Sequence, residues 1–383
     1  MNNNKLQNYL KSATLVAASS LWLSSAQAEI SLGDRGAIAF GADAELKYDS
    51  NILLNNTEVS DTIATAQPKI YYRSGRSALF VDAFVGYEIK EYFDESEFDS
   101  ENFKSGIRME YPRDEGEHNF ELVFIGGYNE RTSADAVLQT IVERDEIKAS
   151  LMGIYHFTER YFLRSGFEYV NSEVDTAGFR DTVYYEIPLE LYYEYSDDLA
   201  LGAGYQYKET DVMGGAPNAD SEDHFLYFSA VGRILPSVES ALKVGAQMRD
   251  FDNGNLDDEE VVYIESVLTW FWRDPSTLEL RLGNEMETPI SNNVIEKTYA
   301  ELELDFVIDE KLSFSALAGY SENAFVLINR DDEQYYGGLK AEYELIEDRL
   351  DLTGRVSYVD QSSNVAVADF EQTIVSLGLS FIY

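Results

Sequence analysis

The chain has 383 residues, and its 70 acidic side chains outnumber its 29 basic ones, giving a net charge of −41. So acidic a surface argues against nucleic acid as a partner, because phosphate binding needs basic residues. The chain has no cysteine, which excludes disulfides, thiolate metal sites and cysteine catalysis. Acidic composition can also indicate disorder, but 27 tyrosines and 21 phenylalanines favour a strand-forming chain.

The N-terminus has the pattern of a secretory signal peptide. Two lysines precede an apolar run that ends at Leu23, and residues 26–28 (AQA) form a small-x-small cleavage site. The run is too short to span a bilayer as a helix. We therefore predict a signal peptide at residues 1–28 and one domain at residues 29–383. No later stretch reaches about 18 consecutive apolar residues, so a closed β-barrel is the remaining membrane-spanning option.

About eighteen later segments alternate apolar and polar residues with the period of a strand. The first runs from Ala37 to Tyr48, the eighth from Asp181 to Tyr195, and the last from Thr373 to Tyr383. A cation on the lipid face costs roughly 2–4 kcal/mol at mid-membrane, so the charged face of each segment must point into the lumen. The sequence thus predicts an all-β fold, a closed antiparallel transmembrane β-barrel of about 18 strands in the outer membrane.

The connections between these segments alternate in length. Short turns such as 196–198, 235–237 and 274–276 alternate with longer connections such as 49–61 and 209–221. Short periplasmic turns and long extracellular loops are typical of outer-membrane barrels. With a periplasmic N-terminus and an even strand number, the last strand ends at the periplasmic rim and pairs with the first.

The last strand also resembles the C-terminal strand of bacterial outer-membrane β-barrels. Val375, Leu377, Leu379, Phe381 and Tyr383 share one face and end on an aromatic residue. This resemblance implies that Phe381 and Tyr383 form the signal read by the barrel-assembly machinery, with outer-membrane lipid as the surrounding partner.

The lumen is the surface most informative about function. Its predicted lining includes acidic and basic residues in near balance, among them Lys47, Lys90, Arg108, Arg164, Glu186, Glu190, Arg249, Glu301, Glu303, Lys340 and Arg355. These charges can form cross-strand ion pairs that hold the wall together, or a hydrated lining for a polar solute or polymer. Predicted lumen aromatics could likewise stack on sugar rings or pack on their neighbours: Phe84, Tyr192, Tyr227, Tyr263 and Tyr336.

The sequence gives no pattern for catalysis, a cofactor or a metal site. Its three histidines lie in separate segments without a local serine motif, so we expect no enzyme and interpret His156 as a solvated lumen residue. Acidic loops at 94–101 and 257–260 could bind divalent ions, but neither has the EF-hand spacing. Residues 252–255 look like part of a calcium loop, for which a solvated turn is the simpler interpretation.

The end of the first segment reads Tyr48-Asp49-Ser50-Asn51-Ile52. A Tyr-Asp-x-Asn-Ile signature at this position resembles the β-barrel porin type 2 family, although Asp-Ser-Asn also suits an Asx-type turn. The resemblance implies an outer-membrane channel that exports an exopolysaccharide or capsular polysaccharide. It also implies a partner, a short periplasmic polysaccharide-export protein.

Two alternatives to export remain open from the sequence. The first is a general or cation-preferring diffusion porin for small polar solutes, with acidic loops that concentrate cations at the mouth. The second is a structural or adhesive surface protein whose lumen is closed by ion pairs.

Overall fold

The computed structural model describes residues 30–383 except 76–77, 113–118, 138, 177–178, 214–218, 253–255, 289–293 and 327. The predicted signal peptide, the turn near residue 114 and most of the calcium-like segment at 252–255 therefore lie outside the described residues.

In the described residues, eighteen long strands form a closed antiparallel barrel. A two-residue strand, β1 (Ile30–Ser31), precedes them and pairs with the first barrel strand. The barrel strands are β2 (Gly36–Asp49), β3 (Asp61–Ser74), β4 (Phe80–Tyr92), β5 (Ser100–Tyr111), β6 (Phe120–Asp135), β7 (Thr140–His156), β8 (Tyr161–Val174), β9 (Asp181–Ser196), β10 (Leu199–Met213), β11 (Ser221–Leu235), β12 (Val238–Phe251), β13 (Glu259–Arg273), β14 (Ser276–Glu287), β15 (Ile295–Val307), β16 (Leu312–Phe325), β17 (Arg330–Ile346), β18 (Leu350–Ser363) and β19 (Phe370–Ile382). The predicted fold class and strand number are confirmed.

The barrel closes by pairing its last strand with its first, as predicted. Val375 lies opposite Tyr48 and Leu377 opposite Leu46. The terminal residue extends this ladder, because the Tyr383 amide donates to the Phe40 carbonyl at 2.7 Å and the Phe40 amide to the Tyr383 carbonyl at 2.9 Å. Closure removes the sheet edges that a spanning structure cannot leave unpaired in lipid.

The outer face of the barrel is apolar, and it is the face that the alternation assigned to lipid. Leu339, Leu377, Leu46 and Leu191 are each exposed. Their sequence neighbours on the opposite face, such as Glu190, are polar, so the predicted strand faces are confirmed. None of the helical turns in the described part of the chain is long and apolar enough to span a membrane.

Aromatic side chains collect near both ends of the barrel wall. Near the periplasmic end, Trp272 stacks on Phe306 with ring centroids 5.8 Å apart. Near the outer end, Tyr320 packs on Tyr335 at 5.0 Å. Such belts place amphipathic rings at the two membrane interfaces.

The connections follow the predicted asymmetry at the clearest positions. The outer connection at 50–60 is long, whereas the periplasmic turns at 197–198, 236–237 and 274–275 hold two residues each. The outer connections therefore supply most of the chain available to cover the mouth.

Candidate functional site: the lumen

The lumen face carries the charged side chains of the barrel. Each predicted lumen residue lies on the face opposite the exposed apolar side chains of its strand. Its exposure, however, depends strongly on position around the barrel. We call the lumen face of β7–β14 the filled wall and that of β16–β18 the open wall.

At the middle of the filled wall lies a buried ion-pair network. Glu190 is 1 % exposed. Its carboxylate accepts hydrogen bonds from Nη1 of Arg164 at 2.9 Å and from the hydroxyl of Tyr227 at 2.8 Å. Lys243 lies 3.8 Å from the same carboxylate and 2.9 Å from that of Glu265. The five residues of this network lie on five different strands, β8, β9, β11, β12 and β13, so the network ties these strands together.

A second network is completely buried near the outer end of the filled wall. Arg249 and Asp223 are both 0 % exposed, and two guanidinium nitrogens donate to the two carboxylate oxygens at 2.7 Å. Gln247 donates to Asp223 at 2.9 Å and accepts from the Met286 amide at 2.7 Å. Arg249 also donates to Thr288 at 3.0 Å. Bidentate geometry and full hydrogen bonding are what make such a buried pair tolerable.

The lumen aromatics pack on the wall. The ring of Tyr192 lies against Gly202 and that of Tyr227 against Gly204, where an added Cβ would meet ring carbons at 2.6 and 2.5 Å. Tyr336 covers Gly319 in the same way, and Phe84 covers Gly106. Glycine leaves room for a ring to lie flat across the neighbouring strand. In the structure these aromatic rings therefore pack on their neighbours in the wall, which is one of the two roles that the sequence left open.

An apolar cluster fills the periplasmic end of the filled wall. Phe162 and Tyr192 are both 0 % exposed and stack with centroids 4.9 Å apart. His156 packs on Phe162 at 5.1 Å, and its side chain is only 10 % exposed, 3.9 Å from Glu194. The interpretation of His156 as a solvated residue is therefore wrong. The side chains that cover it come from strands β8 and β9, and the sequence did not reveal how these strands are aligned with β7.

The open wall is solvated. The side chain of Lys340 is 32 % exposed and pairs with Glu342, itself 44 % exposed, at 2.7 Å on the same strand. Arg355 lies directly opposite Lys340, is exposed, and has no ion pair or hydrogen bond among the described residues. Two cations placed opposite each other repel, so this wall is not held together by charge.

Most of the other predicted lumen charges also have partners, either on their own strand or on a neighbouring part of the wall. Lys47 lies 3.2 Å from Asp49, and Lys90 donates to the Thr132 carbonyl at 2.9 Å. Further contacts join Arg108 to Glu110, Arg281 to Glu301, and Arg281 to Glu303. Glu186 has no ion pair or hydrogen bond among the described residues and lies in a recess described below.

The signature at the end of β2 lies at the barrel seam. Asn51 is 0 % exposed; its side chain donates to the carbonyls of Asn55 at 2.7 Å and Glu371 at 3.0 Å. The Asp49 carboxylate accepts from the Asn51 amide at 3.0 Å, which is the Asx turn, and from Gln372 at 2.8 Å. Ile52 is buried beneath the same loop. These residues fix the first loop to the last strand and do not line the solvated lumen.

The tip of the β6–β7 hairpin reaches two distant connections at the outer mouth. Gln139 donates to the Val367 carbonyl at 2.6 Å, and Arg330 donates to the Val137 carbonyl at 3.0 Å. Arg330 is fixed in turn by Asp332 at 2.6 Å. Strands β19 and β2–β5 lie between these connections in the barrel order, so the hairpin crosses part of the mouth. Nothing in the local sequence predicts this contact.

The acidic loop at 94–101 is held to strand β3 through its backbone amides. Asp61 accepts from the amides of Asp94 at 3.2 Å and Glu95 at 2.8 Å. Within the described residues, no three acidic or histidine side chains come together as a metal site.

Sequence reasoning missed a recess in the filled wall of about 380 Å³. Its lining comes from strands between β7 and β15, and it lies beside the Arg164–Glu190 network. Two of its lining residues, Gln206 and Glu285, were not among the predicted lumen residues. Alternation places each of these side chains on the lumen face, but only the register between strands brings them together.

The comparisons with known proteins agree with this architecture. Residues 236–383 match the family model described as "Putative beta-barrel porin 2". This match covers β12–β19 and confirms the predicted resemblance for that part of the chain. A comparison with curated proteins gave no match.

Several solved outer-membrane proteins of Pseudomonas aeruginosa have a similar fold. OccK2 (OpdF) in complex with glucuronate has a TM-score of 0.52 and 11% identity, over 90% of this chain and 98% of that chain. OccK3 (OpdO) has a TM-score of 0.51 and 10% identity, over 91% and 96%. OpdK with vanillate has a TM-score of 0.50 and 9% identity, over 90% and 99%. At these identities the likeness concerns the fold alone.

Proposed function

We propose that the chain is an outer-membrane porin-type β-barrel channel and, more specifically, a diffusion porin for small polar solutes that prefers cations. The observation that carries this proposal is the charge of its periplasmic mouth. A cavity of about 330 Å³ there is lined by six carboxylates against two cations: Asp309, Glu310, Glu342, Glu344, Asp348, Asp351, Lys311 and Arg349. A cleft of one sign raises the local concentration of the opposite ion.

The two walls of the lumen limit the size of a solute that can pass. The open wall is solvated, whereas the filled wall occupies its side with buried ion pairs and aromatic rings. This favours small solutes over a polymer chain. Two similar barrels were solved with the small solutes glucuronate and vanillate.

Polysaccharide export is less well supported. It rested on the signature at Tyr48–Ile52, and that segment is occupied by seam contacts. A periplasmic export partner and polysaccharide cargo remain hypotheses that depend on the family resemblance. Recognition of Phe381 and Tyr383 by the barrel-assembly machinery likewise remains a prediction; both side chains are exposed at the periplasmic rim.

Planar bilayers test the proposal. Purified protein should give a constitutive conductance, and its reversal potential in a potassium chloride gradient should indicate preference for potassium. A silent channel would contradict the diffusion porin. Loss of surface polysaccharide on deletion of the gene, restored by the intact gene, would then favour export.

A further inference from the structure

The recess in the filled wall is the strongest unexplained feature of the lumen. Its volume of about 380 Å³ lies within the range of small-molecule sites. Arg164 and Glu190 form part of its floor, and Glu186, Glu285 and Tyr299 lie on its sides. The buried floor is fixed by ion pairs across several strands, so the recess is preformed.

The charges of the recess are unevenly satisfied. Both cations that line it are engaged: Arg164 with Glu190 at 2.9 Å, and Lys243 with Glu265 at 2.9 Å. Glu186 and Glu285 also line it, and neither has an ion pair or hydrogen bond among the described residues. Lys208 lies opposite Glu186 in the strand pairing and is held over the ring of Tyr184, 4.5 Å from its centroid. The lining itself has five carboxylates, including that of Glu168, against two cations, so its net charge is negative.

Two buried polar side chains in the same recess also lack a hydrogen bond. Gln206 is 6 % exposed and Ser150 is 9 % exposed. Neither side chain has a hydrogen-bond partner in the described part of the chain. Their hydroxyl and amide groups can therefore donate to and accept from a solute in the recess. This observation is independent of the carboxylates and points to a hydrogen-bonding occupant.

The occupant is not a single metal ion. Among the described residues no three acidic or histidine side chains converge as metal ligands. The carboxylates are instead spread around a cavity large enough for a molecule. The ring of Tyr299 lies against Gly283 beside them, and the ammonium of Lys297 lies over this ring, 5.7 Å from its centroid.

We propose that this recess binds a small organic cation, a molecule with an ammonium or guanidinium group and further hydrogen-bonding groups. Glu186 and Glu285 supply the opposing charge, and Gln206 and Ser150 supply hydrogen bonds. The Arg164–Glu190 network is the scaffold that holds the recess open. This inference rests on the proposed channel and names the class of solute that pauses inside it.

Three hexoses of similar size separate charge from shape. At neutral pH most glucosamine carries an ammonium group, N-acetylglucosamine is neutral and glucuronate is an anion. Isothermal titration of the folded protein in detergent should show glucosamine binding at least about tenfold more tightly than either of the others. In bilayers, glucosamine should also block the potassium current. Equal affinity for all three sugars, or no binding of glucosamine, would overturn the proposal.

Variants locate the site. Glu285→Gln and Glu186→Gln should each weaken glucosamine binding about tenfold, and Gln206→Met should weaken it less. Glu303→Gln removes a lumen carboxylate on β15 that lines neither the recess nor the periplasmic mouth, and it should leave binding unchanged. Unchanged binding in both recess variants, with each barrel folded, would overturn the assignment of the site.

The outcomes for site and function are distinguishable. A conducting channel that does not bind glucosamine retains the diffusion porin and removes the site. Binding in detergent by a protein that is silent in bilayers retains the site and removes the diffusion function.

Discussion

The filled wall and the open wall have the same alternation of apolar and polar residues, but they use their charges in opposite ways. In the filled wall, Arg249 and Asp223 are both 0 % exposed and meet from different strands. In the open wall, Lys340 pairs with Glu342 two residues along its own strand and remains 32 % exposed. An ion pair between two strands stabilises their association in the sheet, whereas an ion pair within one strand does not link that strand to its neighbours.

One side of the barrel is thus densely packed and the other is solvated, and in the proposed channel the solvated side is the conducting one. Tyrosine rings on glycines and buried ion pairs make the filled wall dense. The opposed cations Lys340 and Arg355 keep water at the open wall, because separating like charges by solvent lowers their repulsion. The recess leaves room for a molecule of solute size within this dense wall.

The largest expected effect is on stability in the filled wall. Arg249→Met leaves Asp223 buried and unpaired, so we expect a loss of about 3–5 kcal/mol in the free energy of unfolding. Lys340→Met in the open wall should cost less than about 1 kcal/mol. Denaturant unfolding of the barrel in lipid measures both.

A double variant sharpens this result. Arg249→Met combined with Asp223→Leu removes both charges, so much of the lost stability should return. Equal losses for Arg249→Met and Lys340→Met would show that the two walls do not differ in this respect.

A smaller effect is expected where a tyrosine ring covers a glycine. In Gly204→Ala the new Cβ would lie 2.5 Å from the ring of Tyr227, which must then shift, and we expect a loss of about 1–3 kcal/mol. Gly354 on β18 has no atom within 4 Å of such a Cβ, so Gly354→Ala should change stability by no more than about 0.5 kcal/mol. The same unfolding experiment decides, and a larger loss at Gly354 than at Gly204 would contradict the packing argument.

The smallest expected effect concerns ion selectivity and leaves stability unchanged. Arg355 is exposed and unpaired among the described residues, so its charge acts on ions in the lumen. Arg355→Gln should shift the reversal potential toward stronger cation preference. Arg355→Lys keeps the charge and should behave as the wild type; a similar shift in both variants would mean that the side-chain charge is not responsible.

Much of the architecture could be predicted from local pattern. The alternation in segments such as Asp181–Tyr195 identified the strands and both faces, because a charge in lipid is so costly that it fixes the orientation of every residue in a strand. The pairing of Thr373–Tyr383 with Ala37–Tyr48 followed from the even strand number. The predicted lining, including Arg164, Glu190 and Arg249, lies on the lumen face for the same reason.

Only part of the candidate site could be predicted from local pattern. Glu186 was identified as a lumen residue, but nothing in its own segment indicated that it lacks a partner while Glu190, four residues later, is 1 % exposed. The signature residue Asn51 was interpreted through family resemblance, whereas its contacts with Asn55 and Glu371 give it a role at the seam. Each of these properties depends on residues far away in the chain.

By itself the sequence determined the class of fold, the strand faces and the acidic character of the mouth, since these follow from a two-residue period and from composition. Only the tertiary structure decided which lumen charges are buried, which are solvated, and where a recess remains. The physical reason is that a period of two specifies the direction of a side chain but not its neighbour. That neighbour is set by the register between strands, such as Glu190 beside Arg164 or Tyr227 over Gly204.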